Sequence, residues 1–321
     1  MPITQIEIQQ AHKRISSKTH RTPVLTSTLI NEVAGAELFF KCENFQKVGA
    51  FKYRGATNAL LSLPKEKLHK GVATHSSGNH AQALALAASE LGIPSYIVMP
   101  NNSPKVKIAA VEGYGANITF CEPNLQARES TLERIVTETN AEFIHPYNRE
   151  DIIAGQGTAA LELLEDYPDL DIVMAPVGGG GLLSGTAIYS KGINPKLKVY
   201  AAEPTGADDA YRSMQSGSLE PSVNPNTICD GLLTSLGELN FGYIKQYVDD
   251  IFLVNDEQII GAMKLIYERM KIVVEPSSAT VLAAVLANLE LFESKKVGLI
   301  LSGGNVDMNT YFDFLKTKNK V

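Results

Sequence analysis

The sequence predicts an α/β protein of two domains, each an open, twisted, mainly parallel sheet with helices on both faces, and a functional cleft between them. Three observations predict this class. Short apolar runs alternate with helical stretches along most of the 321 residues. The runs read as strands buried on both faces. Glycine- or hydroxyl-rich loops follow several of them, at the carboxyl ends where open α/β sheets place ligands.

Taken in order, strands are expected at 37–41, 71–75, 95–99, 117–120, 171–176, 198–202 and 297–301, each a short apolar run. Helices are expected at 79–91, which is alanine-rich, at 103–113, at 124–139 and at 151–165, where apolar residues recur at helical spacing. Within 71–147 the units follow as βαβαβαβ, and the apolar pattern then restarts with a long helix. A small domain, 71–148, is therefore expected as an insertion into a large one formed by 1–70 and 149–321. No internal repeat or low-complexity tract is visible.

The composition is 44% hydrophobic and 20% charged, with a net charge of −6. That balance argues against a nucleic-acid partner. No run approaches the roughly 18 apolar residues that cross a bilayer, and the N-terminus lacks the apolar core of a signal peptide. Cys42, Cys121 and Cys229 are far apart and outside any CxxC pattern, as expected of buried thiols in a reduced, cytoplasmic setting. Charge runs such as Lys65-Glu66-Lys67 read as solvated faces.

Five stretches carry chemistry. Lys52 lies in Gly49-Ala50-Phe51-Lys52-Tyr53-Arg54, flanked by apolar and aromatic residues before a helical segment. A lysine sheltered from water has a lowered pKa and offers a nucleophilic amine that condenses with aldehydes. The run Val177-Gly178-Gly179-Gly180-Gly181-Leu182 follows a strand and opens a helix. Its glycines let backbone amides close on an anion. Lacking Gly-Lys-Ser/Thr and GxGxxG, it suits a monophosphate better than a nucleoside triphosphate.

The loop Ser76-Ser77-Gly78-Asn79-His80 offers hydroxyls and amides to a carboxylate, although Ser76 or Ser77 could simply cap the next helix. His75 and His80 have no acidic or cysteine neighbour at zinc-ligand spacing. Ser302-Gly303-Gly304-Asn305 ends the last strand, and alone reads as a turn. The run Glu203-Pro204-Thr205-Gly206-Ala207-Asp208-Asp209 reads, unaided, as a solvated acidic turn capping a helix.

In this order, together with Thr22-Pro23-Val24-Leu25 and Lys41-Cys42-Glu43-Asn44-Phe45-Gln46, these stretches resemble the fold-type II (tryptophan-synthase-β-like) pyridoxal-phosphate enzymes. The likeness runs over essentially the whole chain and is greatest to the branch of serine racemases and serine/threonine dehydratases. It implies that pyridoxal 5'-phosphate (PLP) sits in the interdomain cleft, joined to the Lys52 amine. Phe51 would flank it, Asn79 would bond its ring oxygen, and Gly178, Gly179, Gly180, Gly181 and Leu182 would hold its phosphate. Ser302 would face its pyridine nitrogen. A hydroxyl there does not keep that nitrogen protonated as an aspartate would, which favours elimination or reprotonation over transamination.

The likeness further implies that the substrate, a small hydroxy amino acid, rests its carboxylate on Ser76, Asn79 and His80, with Arg128 approaching. Lys52 would act as base on one face of Cα and Ser77 as acid on the other. Threonine dehydratases of the family read Ser-Ala-Gly-Asn-His at this loop, whereas the racemases carry a second serine, as here. Glu203, the Ala207 carbonyl and Asp209 would bind Mg²⁺, Ca²⁺ or Mn²⁺, which reverses the unaided reading of that turn. Ser27, Thr28, Lys47, Gln82, Tyr114, Lys271 and Asn305 would line a site for ATP as activator. The chain departs from the mammalian pattern at Val48, where those racemases have threonine, and at Ala50, where serine is common.

The expected activity is racemisation of serine with dehydration of L-serine and L-threonine, in a homodimer. The alternatives are a dedicated 3-hydroxyaspartate or threonine dehydratase and a cysteine-synthase-like transferase. The chain ends soon after Ser302, so the regulatory domain of long threonine dehydratases is not expected.

Overall fold

A computed structural model describes residues 2–103 and 105–316, the Val106 side chain excepted. Ten strands form two sheets: β1 (Val24–Leu25), β2 (Glu37–Cys42), β3 (Val72–His75), β4 (Ser95–Pro100), β5 (Asn117–Cys121), β6 (Glu142–Phe143), β7 (Ile172–Pro176), β8 (Lys198–Pro204), β9 (Asp250–Val254) and β10 (Lys296–Leu301). The larger sheet has the order β1-β2-β10-β7-β8-β9 and the smaller β5-β4-β3-β6. Every pairing is parallel except that of the edge strand β1 with β2.

All seven expected strands form. β1 is a two-residue addition, β6 is the short fourth strand of the expected βαβαβαβ run, and β9 was not expected. The expected helices form as Asn79–Glu90, Lys105–Gly113, Leu125–Thr139 and Glu150–Asp166. The third starts one residue late because Asn124 is its N-cap, its side chain accepting the Ala127 amide. The second starts at Lys105; Pro104, inside the expected span, lies outside the described residues.

Side chains alternate across each sheet, so both faces must be covered. In β7, Val173 joins a cluster with Leu163, Leu183 and Val199, whereas Met174 joins the opposite cluster with Phe40, Leu282 and Leu299. The Glu150–Asp166 and Gly181–Ile193 helices cover the first face, and Asp256–Met270 and Pro276–Ala287 the second. In the small sheet, Val72 and Ile97 face a cluster that includes Tyr53, Ala56 and Leu60 of the Lys52–Ser62 helix. Ala73 and Val98 face Leu132 and Ile135. The helix that begins at Lys52 thus shares the core of the small sheet although it precedes it in the chain.

The three cysteines are buried and free. Burial pushes the Cys42 thiol up to about 12 and raises those of Cys121 and Cys229, so none is held as thiolate. Among the described residues no helix is long and apolar enough to cross a membrane.

Candidate active site

Three loops at the carboxyl ends of β3, β7 and β10 converge on the first turn of the Lys52–Ser62 helix. The Phe51 amide donates to the Ser302 carbonyl at 3.0 Å and the Gly304 amide to the Gly49 carbonyl at 2.9 Å, which ties the start of that helix to the end of β10. Asn305 Nδ2 donates to Asn79 Oδ1 (2.9 Å) and to the Val48 carbonyl (2.6 Å). Asn79 Nδ2 in turn donates to both oxygens of Glu275, at 3.0 and 3.1 Å. The Tyr147 ring packs under the glycine loop and stands 6.0 Å from the Lys52 Nζ.

Lys52 Nζ donates to the Pro146 carbonyl at 3.0 Å and lies 5.1 Å from the Phe51 ring centre. Burial among these apolar and aromatic groups pulls its pKa down to about 8, against the Glu275 carboxylate, which raises it. About a tenth of the amine is then neutral at pH 7, far more than for an ordinary lysine, as a nucleophile or base requires.

The glycine loop is shaped as a cradle. Gly180 has φ +92, a conformation side chains rarely adopt, and a Cβ there would lie 2.7 Å from both Asn240 and Leu236. A Cβ on Gly179 would lie 2.4 Å from the Tyr147 ring. Asn240 Nδ2 pins the loop through the Gly179 and Tyr147 carbonyls, at 2.8 and 3.1 Å. No hydrogen bond from the amides of Gly178, Gly179, Gly180 or Gly181 is found among the described residues, and Gly181 opens a 13-residue helix. Such amides suit a phosphate. Gly180→Ala should retain PLP ~10- to 100-fold less tightly, since overpacking of this kind costs about 1–3 kcal/mol. Equilibrium dialysis checks this, and unchanged affinity would remove the cradle from the account.

After β10, Ser302 is buried, its Oγ 3.1 Å from Ser278 Oγ. Ser278 also donates to the Gly303 carbonyl and accepts the Gly303 amide. A pair of hydroxyls brings no charge here, which suits an unprotonated ring nitrogen.

In the serine loop the N-cap of the Asn79–Glu90 helix is Gly78, and no side chain caps it. Ser76 Oγ accepts only the Gly78 amide, at 3.4 Å, and no hydrogen bond of the Ser77 hydroxyl is found among the described residues. The capping role open to Ser76 or Ser77 is thus not taken. The His80 ring is buried near the Ile144 carbonyl (3.3 Å), and burial holds its pKa well below the ordinary value. What His80 leaves free for a ligand is its backbone amide in the first helical turn. Arg128 is half-buried on the Leu125–Thr139 helix, with its Nε buried and unpartnered.

Glu203 is the penultimate residue of β8, and its oxygens accept the Ala210 and Tyr211 amides at 2.9 and 2.8 Å. Burial pushes it up to about 8, with Asp209 and Asp208 adding to the rise. Asp209 accepts the Leu236 amide through Oδ2, while its Oδ1 is buried without a partner. Two buried carboxylates, one with an orphaned oxygen, fit a divalent cation completed by a carbonyl such as that of Ala207. Among the described residues no group of three or more His, Cys, Asp or Glu could hold a metal. Hydrogen bonds do not join this pair to Lys52, but Leu236, held by Asp209, packs against Gly180.

The residues expected around a nucleotide each make short contacts of their own. Ser27 precedes the Thr28–Ala34 helix without capping it, and Thr28 is its first residue. Lys47 pairs with Glu90 at 2.6 Å and Lys271 donates to the Glu268 carbonyl. Gln82 is buried, Tyr114 half-buried, and Asn305 leads to Asn79.

Sequence reasoning missed Glu275 and Tyr147. Glu275 is buried beside Asn79 and pushed up to about 7 by burial, with Asp230 adding to the rise. The signal was a carboxylate directly before Pro276, at the start of an uncharged helix whose Ser278 meets Ser302. Tyr147 sits in the strap 144–148, whose His145 ring accepts the Tyr147 and Asn148 amides through Nδ1.

Burial, with the charges of His75 and Lys52, brings His145 down to about 4. A histidine lowered on folding stabilises fully above its unfolded pKa near 6.5 and loses that contribution as pH falls towards 4. His145→Asn keeps an acceptor for both amides and takes up no proton. Relative to the variant, the wild type should lose about 2 kcal/mol between pH 7.5 and 5 in urea unfolding; parallel losses would refute the assignment.

Residues 15–303 match the family described as pyridoxal-phosphate dependent enzyme. The chain is 53% identical to a serine racemase of Dictyostelium discoideum over 96% of each chain, and the structure of that species' racemase superposes with a TM-score of 0.92 over 95% of this chain and 99% of that one. It is 49% identical to a beta-hydroxyaspartate dehydratase of Paracoccus denitrificans, covering 95% and 97%. The structure of a T.th. threonine deaminase is 41% identical, with a TM-score of 0.91 over 95% and 99%. A sheltered lysine amine facing a glycine cradle on this fold has the same explanation as these matches, namely that the chain belongs to the pyridoxal-phosphate dependent enzymes.

Proposed function

We propose that the protein is a PLP-dependent serine racemase that also dehydrates L-serine, with L-threonine and 3-hydroxyaspartate as further dehydration substrates. The observation that carries the racemase half is the Ser77 hydroxyl, which serves no cap and stands in the loop that opens the Asn79–Glu90 helix. The relatives named racemase and dehydratase support both halves.

When bound, PLP supplies an electron sink for the negative charge left at Cα once its proton is removed. In this reading Lys52 holds the cofactor, and its amine takes the Cα proton on one face. The glycine amides and Leu182 hold the phosphate, and Phe51 and Asn79 border the ring. Ser302 would face the pyridine nitrogen and leave it neutral. Ser76, Asn79, the His80 amide and Arg128 orient the carboxylate. Ser77 returns a proton on the opposite face, giving D-serine. Loss of the β-hydroxyl instead leads, after hydrolysis, to pyruvate and ammonia.

The reading extends to a divalent cation on Glu203, the Ala207 carbonyl and Asp209, which would relieve the buried carboxylates and, through Leu236, brace the cradle. On likeness alone it extends to an ATP site on the seven residues placed above, to a homodimer, to a cytoplasmic setting and to the division into 71–148 and the remainder.

The test is the product profile from L-serine, L-threonine and 3-hydroxyaspartate, with chiral analysis, with and without Mg²⁺ after chelation. The expected result is D-serine and pyruvate together from L-serine, both reduced several-fold by chelation and restored by Mg²⁺. A second reading, a dedicated 3-hydroxyaspartate dehydratase, is favoured by the 49% identical relative of that name. It predicts ammonia from hydroxyaspartate and no D-serine.

A further inference from the structure

The first turn of the Lys52–Ser62 helix sends three consecutive side chains to three places. Lys52 turns to the Pro146 carbonyl, and the Tyr53 hydroxyl donates to Glu90 at 2.9 Å. Arg54 turns into the large sheet, where it is fully buried. Its Nε and one terminal nitrogen clasp Glu43 at 2.7 and 2.8 Å, and both terminal nitrogens reach Glu162 at 2.8 Å. Thr158 accepts the remaining N–H at 3.2 Å, and the His20 carbonyl shares one of the others at 3.3 Å.

The clasp has rigid walls. Glu43 directly follows β2 and also accepts the Thr22 hydroxyl at 2.5 Å. Glu162 belongs to the Glu150–Asp166 helix and accepts Lys41 Nζ at 2.6 Å, the same amine donating to the Thr22 carbonyl at 2.7 Å. Two cations and two carboxylates, nearly all without solvent exposure, therefore balance around Arg54. Breaking one partner of such a set is strongly destabilising, whereas replacing the set with apolar groups is often neutral. Stability alone does not account for a four-charge cluster at this place.

We propose that Arg54 is a positioning residue for Lys52: the guanidinium fork, held by Glu43 and Glu162, fixes the rotation of the helix that presents the amine to the cleft. The fork is planar and contacts two carboxylates on two elements, so it resists rotation where a single point charge would not. Lever arithmetic gives the consequence. A rotation of about 10° moves a group about 6 Å from the helix axis by about 1 Å. A displacement of about 1 Å at a reacting centre can cost ~100-fold in rate.

The inference rests on the reading of Lys52 as the catalytic amine. It is tested on the PLP-loaded enzyme with two variants. Arg54→Lys keeps the charge but cannot span both carboxylates. Arg54→Met combined with Glu43→Gln removes one charge of each sign and leaves Lys41 paired with Glu162, so the core stays neutral. Both should show kcat for L-serine down ~10- to 100-fold with KM within ~3-fold. Both should also release PLP at least ~10-fold faster on dialysis, while the double variant keeps the thermal midpoint of the wild type.

A purely structural role would lower the midpoint and leave kcat per folded molecule and cofactor release unchanged. A folded double variant with kcat within ~2-fold of the wild type overturns the proposal. Lys52→Ala is measured in parallel. If it is inactive while the Arg54 variants are unimpaired, only the positioning role fails; if it is active, the reading of Lys52 fails.

Discussion

Lys52→Ala is expected to lower turnover of L-serine at least ~1,000-fold, in racemisation and dehydration alike, without unfolding the protein. The activity loss follows from the chemistry: a positioned general base contributes ~10²–10⁴-fold by itself, and in the proposed reading the same amine also holds the cofactor. Retention of the fold follows from the electrostatics. Burial pulls the Lys52 amine down to about 8, which means that its charge is a burden to the folded state. Among the described residues its one hydrogen bond goes to the half-buried Pro146 carbonyl. Alanine removes the burden and leaves one acceptor that water can reach. The thermal midpoint of the protein without PLP should therefore stay or rise. Joint loss of midpoint and turnover would make Lys52 structural, and retained turnover would remove it from the chemistry.

Ser77→Ala should separate the two activities. D-serine formation is expected to fall ~100-fold or more, because reprotonation on the face away from Lys52 loses its acid. Pyruvate formation should stay within ~3-fold, since elimination needs only the first proton removal and departure of the hydroxyl. The helix should be indifferent to the change, because Gly78 occupies its N-cap and Ser77 makes no cap bond. Chiral chromatography beside a pyruvate assay reads both rates. Equal losses would assign Ser77 to substrate binding, and persistent D-serine would place the second acid elsewhere.

The parts of the molecule that were legible in the sequence are those fixed by local pattern. The buried run Ile-Val-Met-Ala-Pro at β7 has no solvated alternative, and the glycines after it have no other economical use. β9 escaped notice because its apolar residues 251–254 are few and sit between Asp249, Asp250 and Asp256. The local rule that a serine before a helix caps it was wrong at Ser76 and Ser77, because the loop places Gly78 at the cap.

Contacts over long sequence separations were not legible. Glu275 reads as a surface carboxylate until the fold brings Asn79 to it from 196 residues away. Arg54 and Glu162 are 108 residues apart, and either alone reads as solvated. Tyr147 gains its role only because Gly179 leaves room for its ring.

The central claim is that one amine, at position 52, carries the cofactor. The most direct measurement is borohydride fixation of the PLP-loaded protein followed by peptide mapping. The account predicts a yellow protein that bleaches on reduction and a single labelled peptide with the pyridoxyl group on Lys52. A label on another lysine, or none in a protein that stays colourless with PLP, would contradict it.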